Sequence, residues 1–224
     1  MDSKIEIAAD VTQKFPDLKV LLHTVQGVKI SNVNPQLEEF KEKVCGDVKR
    51  RFSLESLKDE PTFRAYRDFF WSIGIDPTKT RPAAEALTRR VLSGRSLPRI
   101  NTAVDAYNLA SMNTCIALAA FDAGMLEGQL RMRFAKKGEE FFGIGMDNPL
   151  TTAGGEIVMV DAARLVAIYP HRDANYSRLT LHTKNLLLVS CGAPGISLAQ
   201  LEKAGNTASE FILRFCGGVV TRLF

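Results

Sequence analysis

The sequence contains few cysteines and no long apolar run. Its four cysteines are scattered and include no CxxC pair, so we expect neither a zinc site nor a disulfide framework. Its longest uncharged stretches, residues 106–121 and 185–201, fall short of the ~20 apolar residues that a transmembrane helix needs. The first six residues include two acids where a signal peptide would have an apolar run. These absences favour a soluble, cytoplasmic protein with no membrane partner.

The common catalytic and nucleotide-binding motifs are also missing. The sequence has no GxSxG, no HExxH and no Walker loop, and Gly143 and Gly145 are followed by Asn148 where a dinucleotide-binding motif requires glycine. Spacing alone assigns no pair of side chains as general acid and base. We therefore expect no metal ion and no cofactor, and any catalytic residues must come from separate parts of the chain.

Positive charge is concentrated in one quarter of the chain. Residues 41–100 contain 14 Lys or Arg against 8 Asp or Glu, whereas the net charge of the whole chain is only +4. Two interpretations remain open: a solvated helical surface, or a surface that contacts a polyanion such as RNA. Under the second interpretation, the predicted RNA-binding residues are Arg89, Arg90, Arg95 and Arg99.

Helical patterns dominate the first half of the chain. Pro35 stands at the start of one helix, and Gly46 is its expected end. Three more helices are predicted at residues 61–74, 82–94 and 101–115. The last of these carries Asp105, Asn108 and Ser111 three residues apart, so these side chains share one face of the helix.

In the second half of the chain the hydrophobic period changes to two residues, which indicates β-strands. A helical pattern returns with capping boxes at Ser197 and Thr207, separated by an expected break at Gly205. Helices followed by short strands, without βαβ alternation, favour an α+β fold with mixed or antiparallel sheets and flanking helices. We expect residues 1–60 to form an N-terminal α/β extension packed on a main domain of residues 61–224. The predicted strands are residues 4–8, 19–25, 130–134, 140–144, 156–160, 165–169, 178–183 and 186–191.

Three polar features are candidates for a site. His171, Arg172 and Asp173 follow an apolar strand, where sites are often placed on a scaffold; the alternative is a turn held by an Arg–Asp pair. Asp122 either contacts a ligand or caps a turn. Glu156 follows a glycine pair and is either part of a site or only the exposed start of a strand.

A series of short motifs follows residue 100 in a definite order. Val-Asp-x-x-Asn occurs at 104–108, Ala-Phe-Asp at 120–122, Leu-Glu-Gly at 126–128 and Gly-Glu at 138–139. In this order and spacing the motifs resemble the B3/B4 domain of the phenylalanyl-tRNA synthetase beta subunit. The helix at 82–94 and the later His-Arg-Asp run look like the freestanding bacterial and archaeal version of that domain. The resemblance covers residues 61–191.

The resemblance implies a partner and an activity. In the synthetase this domain hydrolyses tyrosine wrongly esterified to phenylalanine tRNA, in a cleft between its two sub-sheets. This chain is therefore implied to bind tRNA or aminoacyl-tRNA, and to be a candidate hydrolase that deacylates mischarged tRNA in trans. In that role the predicted catalytic residues are His171, Arg172 and Asp173, and the predicted substrate contacts are Asn108, Asp122 and Glu156.

The sequence departs from the family at the substrate cleft. The synthetase has His where this chain has Ala119, and its next glutamate falls near Val189. Residues 170–173 replace a glycine-rich loop. An editing site copied from the synthetase is therefore absent, and we expect a shared fold with a different ligand.

Three functions remain open at this point. The first is a trans-acting deacylase of aminoacyl-tRNA, the second is an RNA-binding module without catalysis, and the third is a binding protein for an amino-acid-like small molecule. The basic segment favours the two functions that involve RNA.

Overall fold

The structure is a computed structural model that describes residues 5–221. The first residue of the predicted strand at 4–8 and the last three residues of the predicted main domain lie outside the described residues. The helices in this range are α1 (Ala9–Lys14), α2 (Pro35–Arg51), α3 (Pro61–Ser72), α4 (Ala83–Leu92), α5 (Thr102–Thr114) and α6 (Leu198–Cys216). The strands are β1 (Glu6–Ile7), β2 (Val20–Gln26), β3 (Ala117–Asp122), β4 (Arg131–Phe134), β5 (Glu140–Phe141), β6 (Leu150–Thr151), β7 (Ile157–Val160), β8 (Leu165–Ile168), β9 (Arg172–Asp173), β10 (Asn185–Cys191) and β11 (Val219–Thr221).

The strands form three sheets. A five-stranded sheet has the order β1-β4-β7-β8-β9, a four-stranded sheet has the order β11-β2-β10-β3, and β5 pairs with β6. Within the described chain, β1 and β4 are parallel and the other neighbouring strands are antiparallel. The combination of helices with mixed, largely antiparallel sheets confirms the predicted α+β fold.

The core lies between the two larger sheets and beneath two helices. α6 packs on β2 and β10, and α5 packs on α6 and β3. One cluster of buried side chains contains Phe121 and Val189 from the four-stranded sheet together with Met159 and Ala167 from the five-stranded sheet. The two sheets therefore meet across a shared apolar layer.

β10 is the strand that the sequence indicates most clearly. Residues 186–191 are all buried, and a short apolar run bounded by turns is typical of a strand covered on both faces. Its neighbours β2 and β3 lie on either side of it, so it forms the centre of the four-stranded sheet.

Local hydrogen bonds explain where several helices begin. The Asn34 side chain accepts from the backbone N–H groups of Gln36 and Leu37 at the start of α2. Asn101 caps α5 in the same way, and Ser197 forms the predicted capping box at the start of α6. Side-chain acceptors at these positions satisfy the free N–H groups of the first turn, and these predicted helix starts are confirmed.

Two predicted helix breaks are wrong. Gly46 lies inside α2, which continues to Arg51, and Gly205 lies inside α6, which is continuous. Thr207 is an interior residue whose hydroxyl donates to a backbone carbonyl one turn earlier. Glycine costs only about 1 kcal/mol in a helix relative to alanine, and at Gly205 there is a packing reason. A Cβ at this position would lie 1.9 Å from Nε2 of His23.

The predicted strand at 178–183 is also wrong. In this segment the Thr183 hydroxyl accepts from the backbone N–H of Thr180 at 3.0 Å and donates to the Asp122 carboxylate at 2.6 Å. Side-chain hydrogen bonds here replace a strand ladder and fold the chain into turns. In contrast, Ala117–Asp122 forms a strand that alternation did not indicate, because five of its six residues are buried.

The division of the chain at residue 60 stays a prediction. β2 comes from the predicted extension, and it pairs with β10 along its whole length from Val20 to Gln26. β11, near the other end of the described chain, pairs with the opposite edge of β2. The N-terminal segment therefore supplies an inner strand of the four-stranded sheet.

Candidate functional site

A small cavity of about 70 Å³ lies between the two larger sheets. We call it the inter-sheet cavity. β3 and β10 supply one wall, β7 and β8 supply the facing wall, and the segment that leads into β9 supplies the polar side chains. The lining residues are Ala83, Ala117, Leu118, Ala119, Phe121, Met159, Ala167, Ile168, Tyr169, Pro170, His171, Asp173 and Cys191.

Two of the three predicted catalytic residues line this cavity. His171 and Asp173 are two residues apart, and alternation along an extended chain directs their side chains to the same side. Arg172 lies between them and is exposed on the other side. Its Cγ and Cδ atoms would lie 2.9 Å from a Cβ placed on Gly143. The structure thus brings His171 and Asp173 together and leaves Arg172 outside the cavity.

Asp173 has an unusual environment for a carboxylate. Desolvation by burial raises the pKa of Asp173 to about 7. Within the described chain, no donor forms a hydrogen bond or ion pair with its side chain. Asp173 is only partly exposed, so its carboxyl group has limited contact with water and no partner in the described chain, and it is free to bind a ligand.

His171 is neutral at the same pH. Burial and the positive charge of Arg172 lower the pKa of His171 to about 4. Its Nδ1 atom is buried and has no hydrogen-bond partner among the described residues, and the ring packs edge-on against Phe70 with centroids 6.4 Å apart. This nitrogen is thus a buried polar atom without a partner in the described chain, and a group that enters the cavity beside it would give it a hydrogen bond.

Two buried tyrosines hold the walls of the cavity in place. The Tyr66 hydroxyl accepts from the backbone N–H of Ala117 at 3.0 Å and donates to the carbonyl of Cys191. The Tyr169 hydroxyl donates to the carbonyl of Gly192 at 2.6 Å. These bonds connect α3, β3 and β10, and they join the residue that follows β8 to the residue that follows β10. The sequence places Tyr66 on an apolar helix face, but it gives no signal of this polar role.

Alanines form much of the cavity wall, and they were not among the predicted site residues. Ala117, Ala119 and Ala167 face the space where larger side chains would fill it. Ala117 and Ala119 alternate along β3, so small residues at period two were the available signal.

The predicted substrate contacts lie elsewhere. Asp122 accepts from the backbone N–H of Gly124 and from Thr183, so it caps a turn, and it lines a separate depression of about 490 Å³. Glu156 accepts from the backbone N–H of Ala153 and closes the glycine turn before β7. Asn108 is a partly buried residue of α5. None of these three belongs to the lining of the inter-sheet cavity in the described structure.

Two of the four predicted RNA-binding arginines form ion pairs. Arg89 donates to the fully buried Glu85 at 2.7 Å, and Arg67 donates to the same carboxylate at 3.0 Å. Arg99 pairs with Glu38 at 2.9 Å. The spacing of Glu85 and Arg89 by four residues was the sequence signal for the first pair. No such signal exists for Arg99 and Glu38, because they are distant in the chain.

The other two predicted RNA-binding arginines, Arg90 and Arg95, differ in whether the guanidinium group already has a partner. Arg90 donates to the carbonyl of Ser96 at 2.5 Å. Arg95 is exposed, and it has no ion pair with any residue that the structure describes. Arg95 is therefore the clearest cation in this group for contact with an external anion.

An open depression of about 830 Å³ lies beside the five-stranded sheet. Its three arginines are all paired with acids. Arg131 pairs with Glu6, Arg133 with Glu139, and Arg164 with Glu127. Because each cation has its own anion, this surface offers no concentrated charge for a ligand.

Residues 5–221 contain neither a metal-binding cluster nor a membrane-spanning helix. No group of three or more His, Cys, Asp or Glu is arranged to hold a metal ion. No helix combines the length and the apolar character that crossing a membrane requires.

Comparison with known proteins agrees with this architecture. A solved N-terminal fragment of the phenylalanyl-tRNA synthetase beta subunit from Pyrococcus horikoshii is similar to this chain, with a TM-score of 0.50 and 12% sequence identity. The similarity covers 98% of this chain and 52% of that structure, so this chain spans about half the length of the fragment. At this identity the likeness concerns the fold alone.

Sequence comparison gives the family. No curated protein matches the chain. A family model described as the B3/4 domain matches residues 65–222, which is most of the sequence. This protein therefore belongs to the B3/4 domain family, a family of domains related to a tRNA synthetase.

Proposed function

We propose that this protein binds aminoacyl-tRNA and holds the aminoacyl group in the inter-sheet cavity. The observation that carries the proposal is the position and chemistry of this cavity. It lies between two sheets, as the family resemblance implies for the substrate cleft, and its lining includes Asp173 and His171. The Asp173 carboxyl and Nδ1 of His171 have no hydrogen-bond partner in the described chain. A mostly apolar pocket with a few convergent polar groups is the usual form of a ligand site.

The surface near the cavity supports contact with RNA. Ala83 lines the cavity and is the first residue of α4, and Arg95 follows the end of that helix. A helix of ten residues spans about 15 Å. Arg95 is therefore on the order of one short helix away from the cavity, and our proposal places the RNA backbone along this helix, where an exposed guanidinium favours phosphate.

Binding can be tested with filter assays on charged and uncharged tRNA over a range of salt concentration. We expect the charged form to bind more tightly. Arg95→Gln should weaken both forms and should reduce the slope of log K against log salt by about 0.7 to 0.9. Lys203→Gln on α6 is the matched control, because Lys203 is exposed on a different helix. Equal binding of charged and uncharged tRNA, or no binding at all, would contradict the proposal.

A second candidate function is hydrolysis of the aminoacyl ester, and His171 favours it. A water molecule bonded to Nδ1 could attack the ester carbonyl carbon while its proton passes to the imidazole. The bond to the ribose oxygen then breaks, and the same proton moves from the imidazole to that oxygen. Incubation with a panel of mischarged tRNAs tests this candidate, with His171→Asn as the variant. If the native protein causes no loss above the spontaneous rate on any tRNA, hydrolysis is excluded and binding remains.

The third function, binding of a free amino-acid-like molecule, makes a different prediction. Such a ligand would raise the melting temperature without any tRNA, and bulk tRNA would neither bind nor compete. That combination of results would replace aminoacyl-tRNA with a small molecule as the occupant of the cavity.

A further inference from the structure

Asp173 is the one acidic side chain in the lining of the inter-sheet cavity, and no Lys or Arg belongs to the described lining. The groups near it are uncharged at neutral pH. Burial raises the pKa of the Tyr107 phenol and of the Cys191 thiol, and it lowers the pKa of His171. The adjacent cation, Arg172, lies on the opposite side of the chain. The Asp173 carboxylate therefore has no resident counterion.

A partly exposed carboxylate with uncharged neighbours binds a cation more strongly than a carboxylate in open water, because the attraction is less screened and the carboxylate has lost part of its hydration. The cationic part of an aminoacyl group is its α-ammonium. We propose that Asp173 binds the α-ammonium group of the ligand and that the ligand's side chain is small and aliphatic, an inference that rests on the proposed function and specifies its substrate class.

The size of the cavity limits the side chain that the ligand can have. Its volume is about 70 Å³, whereas an apolar cavity that accommodates benzene has about 150 Å³. A phenyl or phenol ring is therefore too large for the cavity. The walls at Ala119, Ala167 and Met159 are apolar, so they match a methyl or a short branched side chain and offer nothing to a charged one.

The arrangement also discriminates against a modified amino group. Acetylation of the α-amine removes its positive charge and adds an acetyl group next to Asp173. The carboxylate would then be left without a cation in a cavity with no room for the added group. Ligands with a free α-ammonium are thus selected over N-acyl ligands.

Three small probes test the assignment without tRNA: alaninamide, N-acetylalaninamide and tyrosinamide. We expect alaninamide to bind with an affinity at least about tenfold higher than the other two when titrated by NMR at pH 7.5. Asp173→Asn should weaken alaninamide binding by at least about tenfold. Asp147→Asn, in an exposed loop, is the control that removes a carboxylate elsewhere and should leave binding unchanged.

A measurement on the native protein avoids any folding defect of the variant. The Asp173 carboxyl ¹³C shift should titrate with a pKa lowered by about one unit or more when alaninamide is saturating, and with no change in the presence of N-acetylalaninamide. Failure of alaninamide to bind, equal binding of the acetylated amide, or an unchanged Asp173 titration would each overturn the assignment. Failure of tRNA binding in the filter assay, with alaninamide bound through Asp173, would instead overturn the proposed function alone.

Discussion

Ala119 and Val189 lie directly opposite each other in the adjacent antiparallel strands β3 and β10. Opposed residues of an antiparallel pair project from the same face of the sheet, and Ala119 lines the inter-sheet cavity. These are the two positions where the resemblance to the synthetase leads one to expect His and Glu. Both differences therefore fall on one cross-strand pair, and both place an apolar side chain on this face of the sheet. The polar groups come instead from the other side, at His171 and Asp173.

Placing a carboxylate at Val189 should destabilise the protein. Val189 is fully buried, and Val189→Glu would add a charge with no partner. We expect a loss of about 3 kcal/mol or more in unfolding free energy at pH 8. The loss should be smaller at pH 5, because burial raises the pKa of the new carboxyl and the protonated form costs less. Urea unfolding at both pH values checks this, with Val189→Ala as a control whose cost is independent of pH.

The two glycines inside helices should respond in opposite ways to alanine. Gly46→Ala should stabilise the protein by up to about 1 kcal/mol, because the added Cβ would meet only Arg50 Nη1, at 3.5 Å. Gly205→Ala should destabilise it by about 2 kcal/mol or more, since the added Cβ would lie 1.9 Å from Nε2 of His23. Thermal and urea unfolding of the two variants would contradict this account if both changes had the same sign.

The ion pair of Lys41 with Asp105 is buried and should be costly to break. Lys41 Nζ lies 2.6 Å from Asp105 Oδ2, and the other Asp105 oxygen accepts from the backbone N–H of Ile100 just before α5. Lys41→Met would leave a buried carboxylate without its cation, and we expect a loss of about 3 to 5 kcal/mol in urea unfolding. Lys79→Met is the exposed counterpart and should change stability little. A small effect of Lys41→Met would show that water reaches Asp105.

Asp173 should make stability depend on pH. Its pKa is raised to about 7 in the folded protein, above its value of about 4 in an unfolded chain. The folded state therefore binds more protons between these values, and its stability falls as pH rises from 4 to 7. Asp173→Asn removes this loss. The unfolding free energy of Asp173→Asn minus that of the native protein should therefore increase by about 2 to 4 kcal/mol between pH 4 and pH 8. A difference independent of pH in urea unfolding would contradict the raised pKa.

Local signals in the sequence were sufficient for much of the fold. The capping box at Ser197 predicts a helix start because its side chains satisfy N–H groups within the first turn, and Pro35 predicts another because its backbone conformation suits the first helical position. The apolar run at 186–191 predicts a buried strand, and this signal also comes from residues that are adjacent in the chain. Local signals were misleading where contacts from other parts of the chain decided the outcome. Gly205 stays helical because it packs against His23, and the turns before β10 depend on Asp122 from β3.

The sequence by itself determined that this is an α+β protein of the B3/4 type, with helix caps, buried strands and a basic segment. Each of these features depends on residues that are close together in the chain. Only the tertiary structure decided which polar residues share a cavity and which cations are already paired. Asp173 and Cys191 come from different sheets to one cavity, and Arg99 finds Glu38 across the fold. Such pairings depend on strand order, register and helix packing, and these bring distant residues together.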